Sequence, residues 1–330
     1  MKAMPHISVI IPTFNRADLL DLALESLENQ SLSSDRFEVV VIDDGSSDST
    51  GEVCKTRQER LGLRYFRQVN SGSSVAKNLG IFVSDAPIIF FFDDDDVADA
   101  KMLEEHLKGH RKYDSETVAI LGFTTWHPRF TVTPVMDYLV NIGQFLFSYP
   151  NLEREQELDF SYFWTGRISC KRRFLTHNGV FSQKMKRVED VELGFRLAQH
   201  GLKVRYWPDA VSYMNRPVTF DDFCDRAAKD GRSLNVFRNL HPDPRVQHYC
   251  HKDAVDKWRA MEPDLPGTVK RVKEIENQIG ESSGEAQQDL LETLWKLYRE
   301  AFISFAVKGV AEAARKTTTG NLVDEATMLN

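Results

Sequence analysis

The sequence predicts an α/β fold, and three observations carry that prediction. Over the first hundred residues, short apolar runs alternate with amphipathic helical patterns, as parallel strands joined by crossover helices require. Two of the apolar runs end abruptly in carboxylates, at Asp43-Asp44 and at Asp93-Asp94-Asp95-Asp96. The chain has 330 residues, 42% apolar and 11% aromatic, which is enough to bury one large core and carry a smaller appended unit.

Residues 7–11 form a β-branched run that reads as a strand buried on both faces. Leu20, Ala23, Leu24 and Leu27 follow at helical spacing, with Asn15 the expected N-cap. Residues 37–42 are the second strand, Asp43-Asp44-Gly45-Ser46-Ser47-Asp48 supplies turn chemistry, and residues 63–66 give a short third strand. A helix is predicted over 74–82 and is stopped by Pro87, before Ile88-Ile89-Phe90-Phe91-Phe92, the most apolar strand of the chain. The next helix spans 101–112. Its His106 and His110, one turn apart after Glu104 and Glu105, lack the order of a zinc protease and read as a solvated face with no site.

Residues 118–163 mix strand-like and aromatic segments with prolines and yield no clean pattern. Phe174, Gly179 and Phe181 are expected in a loop, residues 188–200 in a helix closed by Gly201, and residues 204–207 in a further strand. From about residue 268 to 315 the chain is rich in Glu, Lys, Leu and Ala. Leu290, Leu294, Leu297, Ala301 and Phe305 recur there at helical spacing, which predicts a helical extension.

The 49 acidic residues outnumber the 42 basic ones for a net charge of -7, which argues against a duplex nucleic acid as partner. Cys54, Cys170, Cys224 and Cys250 stand too far apart for a zinc or redox motif and read as reduced thiols in a cytoplasm. The run at 7–11 is too short for a signal segment and ends at Pro12. No window approaches the ~18 uninterrupted apolar residues of a membrane-spanning helix.

Four consecutive carboxylates are costly, since like charges ~5 Å apart repel by a few kcal/mol at an effective dielectric near ~20. A solvated turn would be the ordinary explanation of such a run. Here, however, the run follows a buried strand, and open α/β sheets bind ligands just beyond the carboxyl ends of their strands. A hard cation bridging to a diphosphate would offset the repulsion, and Asp43-Asp44 would face the same crevice. Glu189-Asp190 begins an amphipathic helix, where carboxylates can simply complement the helix dipole, worth about 0.3–1 kcal/mol. The alternative is that one of them is a general base held rigidly by the helix start. Among the aromatic residues Trp126, Tyr162 and Trp164, which an α/β core ordinarily absorbs, Trp164 is the best candidate to stack on a sugar.

Taken in order, these segments resemble the family-two inverting glycosyltransferases, which have the GT-A fold. The likeness is spread over most of residues 6–240. It is carried by Ser8-Val9-Ile10-Ile11-Pro12-Thr13-Phe14-Asn15-Arg16, by Val41-Ile42-Asp43-Asp44-Gly45-Ser46-Ser47-Asp48, and by Asn70-Ser71-Gly72 with Ala76-Lys77-Asn78-Leu79-Gly80. The acidic strand end and the Glu189-Asp190 helix start complete the set.

The resemblance implies a GT-A fold, with a mainly parallel central sheet flanked by helices and a helical C-terminal extension. It divides the chain into residues 1–240, with a nucleotide-binding half at 1–115 and an acceptor and catalytic-base half at 116–240, followed by the extension at 241–330. It implies metal-dependent transfer of a sugar from a nucleoside diphosphate, with UDP favoured by analogy, to an acceptor hydroxyl with inversion. Thr13, Asn15 and Asp44 would hold base and ribose, and Gly72, Lys77, Asp93 and Asp94 would complete the donor site. Asp95 would carry a divalent ion, Mn2+ or Mg2+, Asp190 with Glu189 beside it would be the base, and Trp164 would lie on the acceptor side.

The acceptor would be a carbohydrate, free or linked to lipid or protein. Three residues depart from the family pattern: Lys77 replaces an arginine, Met214 a histidine able to approach the metal, and Ala100 a common proline. Met214 keeps open a non-catalytic sugar-nucleotide scaffold. A nucleotidyltransferase would need a glycine-rich basic loop that Thr13-Phe14-Asn15-Arg16 does not supply. The tail aromatics Trp295, Tyr298, Phe302 and Phe305, flanked by Lys296, Arg299 and Lys308, are open to the catalytic domain, a second subunit or a membrane surface.

Overall fold

The computed structural model describes residues 4–147, 149–280 and 282–318, so residues 319–330 of the expected extension lie outside it. The chain runs β1 (Ile7–Thr13), α1 (Ala17–Glu28), β2 (Phe37–Asp43), α2 (Thr50–Leu61), β3 (Arg64–Arg67), α3 (Ser73–Val83), β4 (Ile88–Phe92) and β5 (Asp96–Ala98). It continues through α4 (Met102–Lys112), β6 (Val118–Trp126), α5 (Pro134–Asp137), β7 (Glu157–Leu158), β8 (Arg167–Lys171), α6 (Arg172–Asn178), α7 (Glu189–Ala198) and β9 (Lys203–Met214). Among the described residues, five helices follow: α8 (Phe220–Leu240), α9 (Pro244–Tyr249), α10 (Ala254–Met261), α11 (Leu265–Ile279) and α12 (Gly284–Thr318). The chain forms two compact units, one of Met1–Thr131 with Phe147–Pro217, the other of Val132–Leu146 with Val218–Asn330.

The first unit is an α/β sandwich around a mixed sheet ordered β3-β2-β1-β4-β8-β6-β9-β5, with β7 paired to β9. β1 runs parallel to both β2 and β4, and β2 to β3, while β8 enters antiparallel to β4 and β6. Because side chains alternate across a strand, β2 splits its valines and isoleucines between two cores. Val39 and Val41 face α1, α2 and α4 through Leu20, Leu24, Leu27, Cys54 and Leu107, whereas Val40 and Ile42 face α3 through Ala76 and Leu79. A Cβ on Gly80 of α3 would overlap Ile10 of β1, so that glycine sets how close helix and sheet lie.

Strand order reverses between β2 and β4 on the two sides of β1. The crevice therefore opens at the carboxyl ends, where Thr13 pairs with Asp43 and Phe92 precedes the acidic run. On the other side of β4, Phe92 pairs with Arg167, which brings the start of β8 to the same edge.

Several local expectations are corrected. Asn15 does not cap α1: its backbone lies at φ 52, and the free N–H of Ala17 donates instead to Asp48 Oδ2 across the crevice, at 3.0 Å. The unforeseen helix α2 lies between β2 and β3 and is closed by Gly62 at φ 60; its apolar face is reduced to Cys54, Leu61 and the partly buried Val53, too sparse to register as a stripe. Phe174 lies within α6 rather than in a loop. His106 and His110 are buried, not solvated, and His106 Nδ1 and His110 Nε2 each meet Ser169 Oγ at 2.9 Å.

The second unit is helical. α8 and α12 approach so closely that a Cβ on Gly231 would overlap the Ala306 carbonyl, and one on Gly309 the Ala228 carbonyl. Phe220, Phe223, Tyr298 and Phe302 pack at the centre, Phe223 edge-on to Phe302 with centroids 4.7 Å apart and Phe220 stacked on Tyr298 at 5.7 Å. Tyr298 and Phe302 are thus fully buried inside this unit. Among the described residues no helix is long and apolar enough to cross a membrane.

Candidate active site

The site grows from the loops that follow β1, β2 and β4. The Asp44 N–H donates to the Thr13 carbonyl at 2.9 Å, which locks the two strand ends together. The Asp44 carboxylate then accepts from Ser71 N–H, Gly72 N–H and Gln68 Nε2 at 2.7–2.8 Å, so it shapes the loop before α3 and retains one Oδ2 lone pair. Gly72 holds φ 90, the left-handed region that glycine enters without strain, as α3 begins. Asn15 Oδ1 accepts from Ser47 N–H at 2.7 Å and its own N–H donates to Ser46 Oγ, tying the first loop to the second. Asp43 is absorbed by structure: it accepts from Ser46 N–H and from the Tyr65 hydroxyl.

The acidic run is matched by arginines from distant segments. Arg16 Nη1 lies 2.8 Å from Asp94 Oδ1 and 3.3 Å from Asp95 Oδ2, and Arg216 Nε lies 3.0 Å from Asp95 Oδ2. Arg167 Nη2 stands 3.6 Å from Asp93 and 3.9 Å from Asp96. Burial pushes the Asp94 carboxyl up to about 6 against the pull of Arg16, and burial drives Asp93 and Asp96 upward against Arg167. The cations therefore do not fully offset the cost of assembling this run.

Among the described residues no three His, Cys, Asp or Glu side chains make a preformed metal cage. The donor chemistry still fits a hard divalent cation that takes one or two carboxylates here and completes its shell with diphosphate oxygens and water. Asp95, the residue expected to carry such an ion, offers a carboxylate of that hard-oxygen kind. Met214, hydrogen-bonded through its carbonyl to His127 N–H and carrying only a thioether, adds no hard ligand.

A second cluster surrounds the start of α7. Lys77 is almost fully buried, donating from Nζ to Glu189 Oε1 at 2.8 Å and to Thr165 Oγ1 at 2.7 Å. It is turned toward the helix start rather than left free for a phosphate. Burial alone would discharge it, but the charges of Glu189, Asp190 and Asp93 keep its pKa raised. Asp190 Oδ2 accepts from Thr165 N–H at 3.2 Å and Oδ1 from Val191 N–H at 2.8 Å. Burial and then Glu189 push the Asp190 carboxyl up to about 6, with Lys77 opposing; Glu189, paired to Lys77, stays lowered in spite of its burial.

Three consecutive residues join the two clusters. Thr165 holds Asp190, Gly166 at φ 100 leaves the space that Asp93 fills, and Arg167 faces Asp93 and Asp96. A Cβ on Gly166 would collide with the Asp93 carboxylate, so the tripeptide fixes the distance from Asp190 to the acidic strand end. These residues, like Arg16 and Arg216, were not among the expected site residues; the glycine flanked by a hydroxyl and a cation was the available signal. Trp164 packs its half-buried ring on Tyr162 at 4.9 Å and Tyr149 at 5.9 Å, immediately before this tripeptide.

With this geometry established, comparison with known proteins is decisive for the family. Residues 8–171, about half of the chain, match the profile described as Glycosyl transferase family 2. The chain belongs to glycosyl transferase family 2. The matched span contains every expected donor-site residue and the Thr165-Gly166-Arg167 tripeptide.

This family-2 chain is 30% identical over 223 residues to validoxylamine A glucosyltransferase of Streptomyces hygroscopicus subsp. jinggangensis (strain 5008), covering 60% of this chain and 53% of that protein. It is 26% identical over 266 residues to chondroitin synthase of Pasteurella multocida (strain Pm70), covering 72% and 27%. The chain spans about half the length, or less, of these curated relatives. Among solved structures, the mannosyltransferase PcManGT from Pyrobaculum calidifontis, in complex with GDP-Man and Mn2+, shares the fold at a TM-score of 0.62 and 19% identity, over 94% of this chain and 88% of that one. S. aureus TarS 1-349 in complex with UDP-GlcNAc does so at 0.55 and 16%, over 94% and 92%.

Proposed function

We propose that this chain is an inverting glycosyltransferase that moves a sugar from a nucleoside diphosphate, most simply UDP, to an acceptor hydroxyl. The observation that carries this is the Thr165-Gly166-Arg167 tripeptide, which holds a pKa-shifted carboxylate, Asp190, in register with the acidic strand end. The base and ribose lie against Thr13, Asn15, Asp44 and Gly72, where the β1 and β2 loops are tied together. Asp190, ionised at neutral pH, takes the proton of the acceptor hydroxyl as its oxygen bonds to the anomeric carbon. The bond from that carbon to the diphosphate breaks on the opposite face, which inverts the configuration.

Lys77 keeps Glu189 ionised and steadies Asp190 through Thr165, so its part is positioning rather than phosphate contact. A divalent ion held at Asp95, with Asp93 and Asp94 beside it, would neutralise the charge of the leaving diphosphate. Trp164 borders the acceptor side, and the relatives named above favour a carbohydrate acceptor and a part in glycan synthesis. The four cysteines, all buried and unpaired, suit the reducing cytoplasm that the sequence predicts.

Calorimetry with UDP, GDP, CDP and dTDP, each with and without Mn2+, tests the reading on the wild type and on Asp95→Ala. One diphosphate should bind tightly with the ion and lose that dependence in the variant. Binding of none would sink the proposal, and donor hydrolysis without any transfer to acceptors would favour the non-catalytic scaffold.

A further inference from the structure

Arg16 and Arg216 reach Asp95 from opposite directions in the chain, one from the loop after β1 and the other from the segment after β9, and both meet the same oxygen, Oδ2, at 3.3 and 3.0 Å. Their side chains are 41% and 42% exposed, whereas Asp94 and Asp95 behind them are 6% and 9% exposed. The guanidinium groups thus lie on the solvent side of Asp94 and Asp95. Arg16 engages protein through Nη1 and Arg216 through Nε, which leaves most of the five donors of each fork unspent.

Asn215 lies between Met214 and Arg216 with its backbone N–H on the Asp95 carbonyl at 2.7 Å, and both polar atoms of its carboxamide are buried without a hydrogen-bond partner. A buried amide open on both sides, next in the chain to one of two half-free guanidinium forks, calls for a partner that the protein itself does not supply. The ligand suited to planar forks is a phosphate. Lys77, the other cation expected to meet phosphate, is occupied by Glu189.

We propose that Arg16 and Arg216 are the diphosphate clamp of this site, parked on Asp94 and Asp95 until the donor arrives. This rests on the donor-site reading given above. A divalent cation held at Asp95 would draw on the carboxylate that the two arginines already engage, so each would oppose the other before nucleotide binds. The diphosphate relieves that competition by accepting the forks itself. Removing an arginine must then act in opposite directions on two ligands, which loss of structure alone would not do.

The test uses calorimetry on the full chain, with Arg216→Ala and Arg16→Ala beside the wild type. The probes are UDP, GDP, CDP and dTDP, the nucleoside of whichever is bound, and Mn2+ alone. Each variant is expected to bind the diphosphate at least about tenfold more weakly, the nucleoside as the wild type does, and Mn2+ alone severalfold more tightly. An unchanged diphosphate affinity, equal losses for nucleoside and diphosphate, or weaker Mn2+ binding would overturn the clamp while leaving the donor site standing. A wild type that binds none of the diphosphates would overturn the donor-site reading, and the clamp with it.

Discussion

Asp190 accepts a proton only as a carboxylate, and burial beside Glu189 has pushed it up to about 6. The rate with saturating donor should therefore hold above neutrality and fall by about tenfold per pH unit once the pH drops below 6. Asp190→Asn should lower turnover by about 10²–10⁴-fold while donor affinity is retained, which a comparison of initial rates with calorimetry would show. Lys77 pulls this carboxyl downward, so in Lys77→Met the acid limb should move to higher pH; a limb that stayed in place would remove Lys77 from the role. The carboxylates of this site stand out in the sequence as consecutive runs at strand and helix ends. Their partners do not: Lys77 reads from sequence as a donor-site cation, and its buried ion pair with Glu189 is visible only in the fold.

Strands and long helices were the legible elements, because each leaves a period in the sequence that its own burial imposes. β1, β2 and β4 are buried along nearly their whole length, and α7 carries both its acidic start and its apolar stripe. What escaped were elements whose stability comes from elsewhere, such as α2 with its thin apolar face, and the start of α1, capped by Asp48 from 31 residues away. The close passage of α8 and α12 has the same character. Gly231→Ala would drive a methyl into the Ala306 carbonyl and should cost about 1–3 kcal/mol, whereas Gly267→Ala in α11, with nothing within 4 Å, should stabilise by about 0.5–1 kcal/mol. Urea unfolding of both variants would check the pair, and equal effects would contradict the close crossing.

At the scale of the whole molecule, acid stability is a contest between groups of opposite sign. Burial depresses His106 to about 3 and carries His110 well below its ordinary value, and both are hydrogen-bonded to Ser169 inside the first unit. Below pH 6.5 the unfolded chain takes protons that these folded imidazoles refuse, so each removes about 1.4 kcal/mol of stability per pH unit as the pH falls. The raised carboxyls of Asp94 and Asp190 act the other way below about 6, because there the folded chain takes protons that the unfolded chain refuses. The histidine contribution is isolated by a difference: between pH 6.5 and 5, His106→Gln should show a pH slope of urea stability about 1.4 kcal/mol per unit less than that of the wild type. Equal slopes would show that His106 is not held neutral.

Taken alone, the sequence determined that the chain is α/β, that it places two acidic runs at strand ends, and that its motifs follow the order of the glycosyltransferase family to which it belongs. These are local properties: a strand's apolar run, a helix's stripe and the residue just past an element's end are written within a few neighbouring positions. The tertiary structure decided which charges meet. Asp95 pairs with Arg16 and Arg216, 79 and 121 residues distant, Lys77 with Glu189, 112 residues distant, and the buried histidines with a serine about 60 residues on. No periodicity records such pairings, because each depends on the sheet order that brings β1, β4, β8 and β9 to one edge. The acidic run could be recognised from sequence, but the arginines that cover it emerge only when those strands are assembled.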